Sequence, residues 1–328
     1  MDKFVGIDLG GSQIRFNDVD AKGNTGQETC CFLVSSTTDD ELVEAIVQKT
    51  YAIVKRVQND GDRVLGIGFG SPGPLDYRRG IIETPPNLPK IKNLPIIKIL
   101  GERVRFSQYP AFLVHDADAA LLGEQWLGAA RNFRNVAMVT FGTGLGFAVT
   151  NDGKLVRGKG RAVEAGHTSI DVGYRRYCSC GRSNCWEAFV STKGLAATYC
   201  EAFSLELSAL NQEEIYNVSF KFKQWLAKRD NSRWVLVLSQ YCDHVVMGLR
   251  NILCNFDPER IVLGGGIMTG NQLLLEAIEK RWQEYMFGKI KDSISVMAGD
   301  LEIKLAELPN AGVIGAAKYA MDCLEKDK

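Results

Sequence analysis

The chain opens on short apolar runs that break on glycine. Phe4-Val5-Gly6-Ile7-Asp8 reads as a strand, Leu9-Gly10-Gly11-Ser12 as a turn and Ile14-Arg15-Phe16 as a return strand, which predicts a β-hairpin. Asp18 to Gly26 is a second turn region, and Cys31-Phe32-Leu33-Val34 reads as a third strand. The period then changes. Leu42, Ile46, Ile53, Val54 and Val57 recur at helical spacing behind Thr38 and Glu41, a capping-box pair, and Gly61 closes the helix. Val64 to Gly70 is a buried strand that runs into Ser71-Pro72-Gly73-Pro74, and a proline-rich loop spans Thr84 to Pro89. Phe112-Leu113-Val114-His115 is a strand with Asp116 at its end, followed by a helix from about Ala117 to Ala130.

The opening pattern then returns. Val136 to Phe141 is a strand that breaks on Gly142-Thr143-Gly144-Leu145-Gly146 and resumes at Phe147-Ala148-Val149, an internal echo that suggests two related halves. Beyond a cysteine cluster the pattern is mostly helical up to Phe256. Ile261-Val262-Leu263 is a strand ending on Gly264-Gly265-Gly266, and a helix covers Leu273 to Tyr285. Strand signals lie at Ile294 to Met297 and Leu301 to Leu305, and a last helix starts near Ala311.

A length of 328 residues suits two domains rather than one core. Lys+Arg and Asp+Glu both number 39, so the formal net charge is zero and no basic arm stands out. That argues against nucleic acid or an anionic membrane as the main partner. The N-terminal residues lack an apolar core behind a basic start, and no apolar stretch is long enough to span a bilayer, so the expected location is the cytoplasm. Nine cysteines, an odd number without an export signal, argue against a disulfide framework. Cys30, Cys31, Cys200, Cys242, Cys254 and Cys323 are scattered and read as buried reduced thiols.

The glycine-broken hairpins carry the first chemistry. Glycine lets backbone N–H groups approach phosphate oxygens closely, and Ser12 and Thr143 add hydroxyl donors at matching places. Asp8, at a strand end, can hold magnesium through water. Neither cluster fits G-x-x-x-x-G-K-[ST], so this is not a P-loop. Asp116 also ends an apolar strand, where ligands bind in open α/β sheets, and a carboxylate there can take the proton of an attacking hydroxyl. Capping the following helix is the plainer role for the same residue.

Glu164-Ala165-Gly166-His167 followed by Cys178-Ser179-Cys180-Gly181-Arg182-Ser183-Asn184-Cys185-Trp186-Glu187 is the most specific segment. Three thiolates and one imidazole, from His167, Cys178, Cys180 and Cys185, make a closed tetrahedral zinc site. With no open position such a zinc is structural, pinning a loop that presents Glu164 and Glu187. A cluster of buried thiols and a catalytic zinc are the competing readings. His167 can bind zinc through one ring nitrogen and a ligand hydroxyl through the other. His244 falls on an apolar helix and reads as a packed or surface residue.

With these motifs in this order, the chain resembles the ROK family of sugar kinases, within the actin-like ATPase superfamily. Gly6-Ile7-Asp8-Leu9-Gly10-Gly11-Ser12 and Gly142-Thr143-Gly144-Leu145-Gly146 look like its two phosphate motifs. Gly264-Gly265-Gly266 looks like the adenosine motif, and the segment from Glu164 to Glu187 is similar to its zinc signature. The resemblance implies an α/β, two-domain actin-like ATPase (ribonuclease H-like) fold closing over a cleft, with residues 1–120 plus 311–328 as the small domain and 121–310 as the large one. It implies transfer of the γ-phosphoryl of ATP, held with magnesium, to a free hexose, usually at the 6-hydroxyl. Asp116 would be the base. Ser71, Asn87, His115, Glu164, His167 and Glu187 would hold the sugar, and assembly as a homodimer or homotetramer is expected.

The chain departs from the family pattern at Ser12 and Gln13, at Asn184, and at His115, which replaces the usual asparagine before the catalytic aspartate. Allose kinases of the family also lack that asparagine. They share the runs seen here at Ile14-Arg15-Phe16 and Pro86-Asn87-Leu88-Pro89, so allose stands beside glucose as the expected sugar. A sugar-responsive repressor of the family would carry a helix-turn-helix ahead of the first phosphate motif, which here starts at Gly6. A sugar-binding member without kinase activity is the other alternative, and retention of Asp8, Asp116 and both glycine hairpins argues against it.

Overall fold

The computed structural model describes residues 1–11, 13–26, 32–33, 39–85, 88, 90–103, 108–159, 163–228, 232–287 and 293–326. The chain forms two compact units. One is Met1–Asn132, Leu155–Val163 and Leu308–Lys328; the other is Phe133–Lys154 and Glu164–Glu307. The expected ranges, 1–120 plus 311–328 and 121–310, divide the chain elsewhere.

The first unit contains β1 (Asp2–Leu9), β2 (Gln13–Asp20), β3 (Phe32–Leu33), α1 (Asp39–Asn59) and β4 (Arg63–Ser71). A small hairpin of β5 (Leu75–Asp76) and β6 (Ile81–Ile82), then α2 (Ile96–Arg103), β7 (Ala111–His115) and α3 (Asp116–Leu127), complete its N-terminal part. The second unit contains β8 (Val136–Phe141), β9 (Leu145–Asn151) and the first residue of β10 (Lys154–Leu155), then α4 (Glu187–Val190), α5 (Thr192–Phe203), α6 (Gln212–Lys228) and α7 (Ser232–Phe256). After these come β11 (Arg260–Gly264), α8 (Gln272–Phe287), α9 (Ser293–Gly299) and β12 (Glu302–Leu305). The last helix, α10 (Ala311–Lys326), belongs to the first unit.

The two sheets repeat one topology. Their strand orders are β3-β2-β1-β4-β7 and β10-β9-β8-β11-β12. In each, the first hairpin is antiparallel and the next two pairings are parallel. The glycine echo in the sequence is therefore a duplicated strand order, and the fold is the mixed α/β class the resemblance implies.

Alternation along β1 sorts its side chains between two cores. Val5, Ile7 and Leu9 share a core with Leu42, Ile46, Ile53, Val54 and Val57 of α1. Phe4 packs with Ala317, Ala320 and Met321 of α10 on the other face. On that second face a Cβ at Gly6 would stand 2.1 Å from the Val313 carbonyl oxygen, and one at Gly68 of β4 would stand 1.8 Å from that of Ala316. No side chain fits either gap, so glycine is what lets α10 lie directly on the sheet. Asp8 is the next residue of β1 on the same face, and it reaches the first turn of α10.

Two expectations fail. Ile294 to Met297 alternates like a strand but lies in α9. Its buried residues are Ser295 and Ala298, while Val296 is exposed, and Ser295 donates from Oγ to the Met286 carbonyl at 2.9 Å. Burial three residues apart belongs to a helix, and packing on α8 overrides the local pattern. Cys254 is exposed rather than buried, on the turn of α7 that turns Ile252 and Leu253 inward, and Cys323 is only partly buried. The capping residue Thr38, the strand residues Cys31 and Val34, and Cys30 lie outside the described residues.

Candidate active site

In the first unit, sheet register gathers the site residues. β1, β4 and β7 are neighbouring parallel strands. Asp8 pairs with Gly70, and Ser71 pairs with His115, so Asp8, Ser71, His115 and Asp116 all stand at the carboxyl ends of these strands. Ligands of open α/β sheets bind at such an edge. Gly10 and Gly11 form the turn beyond β1, closed by the Gly10 N–H donating to the Gln13 carbonyl at 2.8 Å. Ser12 and Asn87 lie outside the described residues.

Asp116 is the first residue of α3, behind an extended His115 that makes no side-chain cap. Its side chain is 33% exposed, while the ring of His115 is buried. Asp116 Oδ1 accepts from the Ala117 N–H at 2.7 Å and lies 3.5 Å from His115 Nδ1. One carboxylate oxygen thus serves the helix end, as the plainer reading supposed. Oδ2 has no protein partner among the described residues.

Asp8 sits in a different field. Burial, reinforced by the charge of Asp116 and opposed by Arg15, pushes its carboxyl up to about 7. A divalent cation held nearby through water would relieve both effects. Ser71 is fully buried and donates from Oγ to the Pro72 carbonyl at 3.1 Å.

In the second unit, two glycine turns lie side by side at the ends of β8 and β11, which are parallel with Gly264 opposite Thr140. Gly142 donates from N–H to the Gly144 carbonyl at 3.0 Å. Thr192, the first residue of α5, donates to the Gly142 carbonyl from its N–H at 2.8 Å and from its hydroxyl at 2.9 Å. Thr143 is exposed, with its hydroxyl 3.1 Å from that of Tyr216 on α6. Gly265 takes φ +84°, and a Cβ there would stand 2.5 Å from the backbone of Phe141, so the third glycine turn stacks on the end of β8. Gly266 faces open space.

The cysteine loop gathers four side chains whose donor atoms could hold a metal ion. The donor atoms of His167, Cys178, Cys180 and Cys185 all lie within 4.8 Å of one another. Cys180 Sγ is 3.6 Å from Cys185 Sγ, and Cys178 Sγ is 3.7 Å from His167 Nδ1. Four donors about 2.3 Å from one zinc ion would be spaced by about 3.8 Å, so the residues present fit that ion. His167 Nδ1 faces the thiols, leaving Nε2 for another partner. Gly181 at φ +84° makes the tight turn between Cys180 and Arg182. The loop is anchored next to its last cysteine. Trp186 is buried against Gly248 of α7, where a Cβ would stand 1.9 Å from the indole, and donates from Nε1 to the His244 carbonyl at 2.9 Å.

Glu187 ties this loop to the second glycine turn. Oε2 accepts from the Leu145 N–H at 2.9 Å, and Oε1 accepts from the Ser179 hydroxyl at 3.1 Å. The Cys178 thiol also donates to Oε1 at 3.4 Å, a contact that belongs to the protonated thiol and not to a metal-bound thiolate. Glu164 is exposed just ahead of the short 3-10 turn Ala165–His167. His244 is packed as one of its two readings had it, 4.9 Å from the ring of Phe189, and burial together with Arg176 holds it down to about 3.

Sequence reading passed over Asp118, Arg157 and Gly312, all of them in the first unit. Asp118 lies two residues after Asp116 and is buried with an Arg157 ion pair at 3.0 Å. Nothing in spacing marks a lone arginine 39 residues away.

A family model described as "ROK family" matches residues 4–322. Glucokinase of Thermotoga maritima is 28% identical over 327 residues, covering 96% of each chain. The crystal structure of a ROK family glucokinase from Streptomyces griseus in complex with glucose and AMPPNP superposes with a TM-score of 0.77 at 25% identity, covering 98% of this chain and 99% of that one. The xylose repressor of Bacillus subtilis is 25% identical over 322 residues, which is 97% of this chain and 77% of the repressor.

Proposed function

The chain belongs to the ROK family, and from that membership we propose that it moves the γ-phosphoryl group of ATP to the 6-hydroxyl of a free hexose with Asp116 as general base. The coarser activity, that of an ATP-dependent hexose kinase, follows from its glucokinase relatives. One observation carries the finer reading. A partly exposed carboxylate with a free Oδ2 stands at the carboxyl edge of the parallel strands that also present Asp8.

The step balances simply. The sugar oxygen attacks the γ-phosphorus, the bond to the β-phosphate oxygen breaks, ADP leaves, and the hydroxyl proton passes to Asp116 Oδ2. Gly10, Gly11, Ser12, Gly142, Thr143 and Gly144 hold phosphates, and Gly264, Gly265 and Gly266 receive the adenosine. Asp8 would orient the water shell of the magnesium that accompanies ATP. Ser71, Asn87, His115, Glu164, His167 and Glu187 hold the sugar. His167, Cys178, Cys180 and Cys185 would hold a structural zinc, which stiffens the loop carrying Glu187. No helix among the described residues is long and apolar enough to cross a membrane. Work in the cytoplasm and assembly as a dimer or tetramer are part of this reading.

His115 decides the sugar. Its buried imidazole stands where glucose-type relatives carry an asparagine, so the hydroxyl it meets differs, and allose is the candidate. A second reading, a catalytically inactive sugar-binding or regulatory member of the family, draws on the likeness to a xylose repressor. Coupled ADP release with glucose, allose, mannose, fructose and N-acetylated sugars separates the readings. Turnover highest on allose supports the proposal, a clear glucose preference removes allose, and sugar binding without ADP release favours the regulator.

A further inference from the structure

Beside Asp116 the first unit buries a second ionic group that phosphoryl transfer does not itself require. Asp118 Oδ2 accepts from Arg157 Nε at 3.0 Å. The guanidinium of Arg157 lies 4.7 Å from the ring centroid of Tyr77 and 4.7 Å from that of Tyr319, and its Nη1 donates to the Tyr319 hydroxyl at 2.9 Å. A cation held over two aromatic faces and paired with a buried carboxylate is fixed in position. Arg157 Nη2 and the Tyr77 hydroxyl are also buried and have no protein partner among the described residues. Buried polar groups without a partner carry a desolvation penalty.

The proposed base shares a helical turn with the carboxylate that pairs with Arg157. Asp116 and Asp118 share the first turn of α3 and act on each other electrostatically, and both act on Tyr77. Burial raises the Asp118 carboxyl, while the neighbouring Arg157 and His115 work the other way. The charged and titratable groups around the first turn of α3 are Asp8 on β1 with Arg15 behind it, His115 on β7 and Asp118 on α3. Tyr77 after β5, Arg157, and Tyr319 on α10 complete the set. Arg157 is the cation in this set that pairs directly with the helix carrying Asp116.

We propose that Arg157, clasped by Tyr77 and Tyr319, is a positioning residue for the transfer reaction: with Asp118 it forms a charge-balanced pair that holds the first turn of α3 and keeps Asp116 both oriented and basic. Arg157 does not touch the reacting atoms in this assignment. It acts through Asp118, so its effect is on the orientation and proton affinity of Asp116 rather than on ATP binding. The inference rests on the reading of Asp116 as base.

The test compares the pH profile of kcat/KM for the preferred hexose in wild type, Asp118→Asn, Arg157→Lys and the double variant Asp118→Asn with Arg157→Met. Asp118→Asn keeps the shape of the side chain and leaves the arginine uncompensated next to Asp116. The acid limb then moves down by about one pH unit, and kcat falls at least tenfold with KM for ATP unchanged. The double variant removes both charges and returns the limb toward the wild-type position. Arg157→Lys keeps the charge but loses the planar stack, so it lowers kcat and leaves the limb in place. It also serves as the reading if Asp118→Asn does not fold. Lower melting temperatures with an unmoved acid limb and an unchanged kcat overturn the inference alone. Absence of sugar-dependent ADP release in wild type overturns the base assignment and this inference with it.

Discussion

The carboxylate of Asp8 occupies the space that a side chain on Gly312 would need: a Cβ built on Gly312 would stand 2.5 Å from Asp8 Oδ2. The end of β1 and the first turn of α10 are therefore fitted to each other, although 304 positions of sequence separate them by number. Gly312→Ala should push the Asp8 carboxylate aside. Because that carboxylate is the proposed partner of the magnesium water shell, turnover should fall about tenfold to a hundredfold with the KM for sugar little changed. Steady-state kinetics with each substrate varied in turn checks this, and wild-type turnover in a folded variant would remove Asp8 from the mechanism.

Asp8 also makes stability depend on pH in a stated direction. Its carboxyl stands at about 7 in the fold against an ordinary value of 3.8. The folded chain therefore holds a proton that the unfolded chain gives up. This contribution is complete below about pH 4 and is lost as pH rises through 7, by at most about 4 kcal/mol. Without nucleotide or magnesium, Asp8→Asn should melt above wild type at pH 8, with the gap closing toward pH 4. Parallel melting curves at both pH values would show that Asp8 is not held protonated.

His244 predicts the opposite slope. Its folded value of about 3 lies below the ordinary 6.5, so the unfolded chain binds the proton first as pH falls. Stability should drop between about pH 6 and 4 at up to about 1.4 kcal/mol per unit from this group. His244→Phe should flatten that part of the profile in urea titrations, and an unchanged acid slope would place its origin elsewhere.

Metal content tests the cysteine loop. One zinc per chain is expected from the four-donor cluster. Cys180→Ser removes a donor from the exposed side and should lower the stoichiometry. Since the loop carries Glu187, the KM for sugar should rise about tenfold while the KM for ATP moves much less. Unchanged zinc content and unchanged sugar affinity would together rule out the structural-metal reading.

Asp116→Asn removes the base and keeps the shape. Turnover should fall by about a hundredfold to ten-thousandfold, while sugar affinity measured by calorimetry stays near wild type. Near-normal turnover would leave Asp116 with only its bond to the Ala117 N–H.

Much of the candidate site can be read in the sequence because its chemistry is local. Gly10, Gly11, Gly142 and Gly144 follow directly on strands, and Cys178, Cys180 and Cys185 are close enough in sequence for one turn at Gly181 to converge them. Three features were not local. Ile294 to Met297 is helical because Ser295 and Ala298 are buried, which no short window records. Arg157 finds Asp118 through tertiary packing, and Gly312 is needed only because Asp8 lies against it.

By itself the amino-acid order determined the strand-and-glycine turns, the helical stripe of α1 and the candidate donor set of the cysteine loop, since each depends on backbone freedom or side-chain spacing within a few residues. Tertiary structure decided which strand ends become neighbours. The pairing of Asp8 with Gly70 and of Ser71 with His115 follows from register, and register is set by which face of each strand is buried. The place of α10 depends on glycines in β1 and β4 that clear a path for its backbone. These are long-range packing outcomes, and they turn separate motifs into one edge of a sheet.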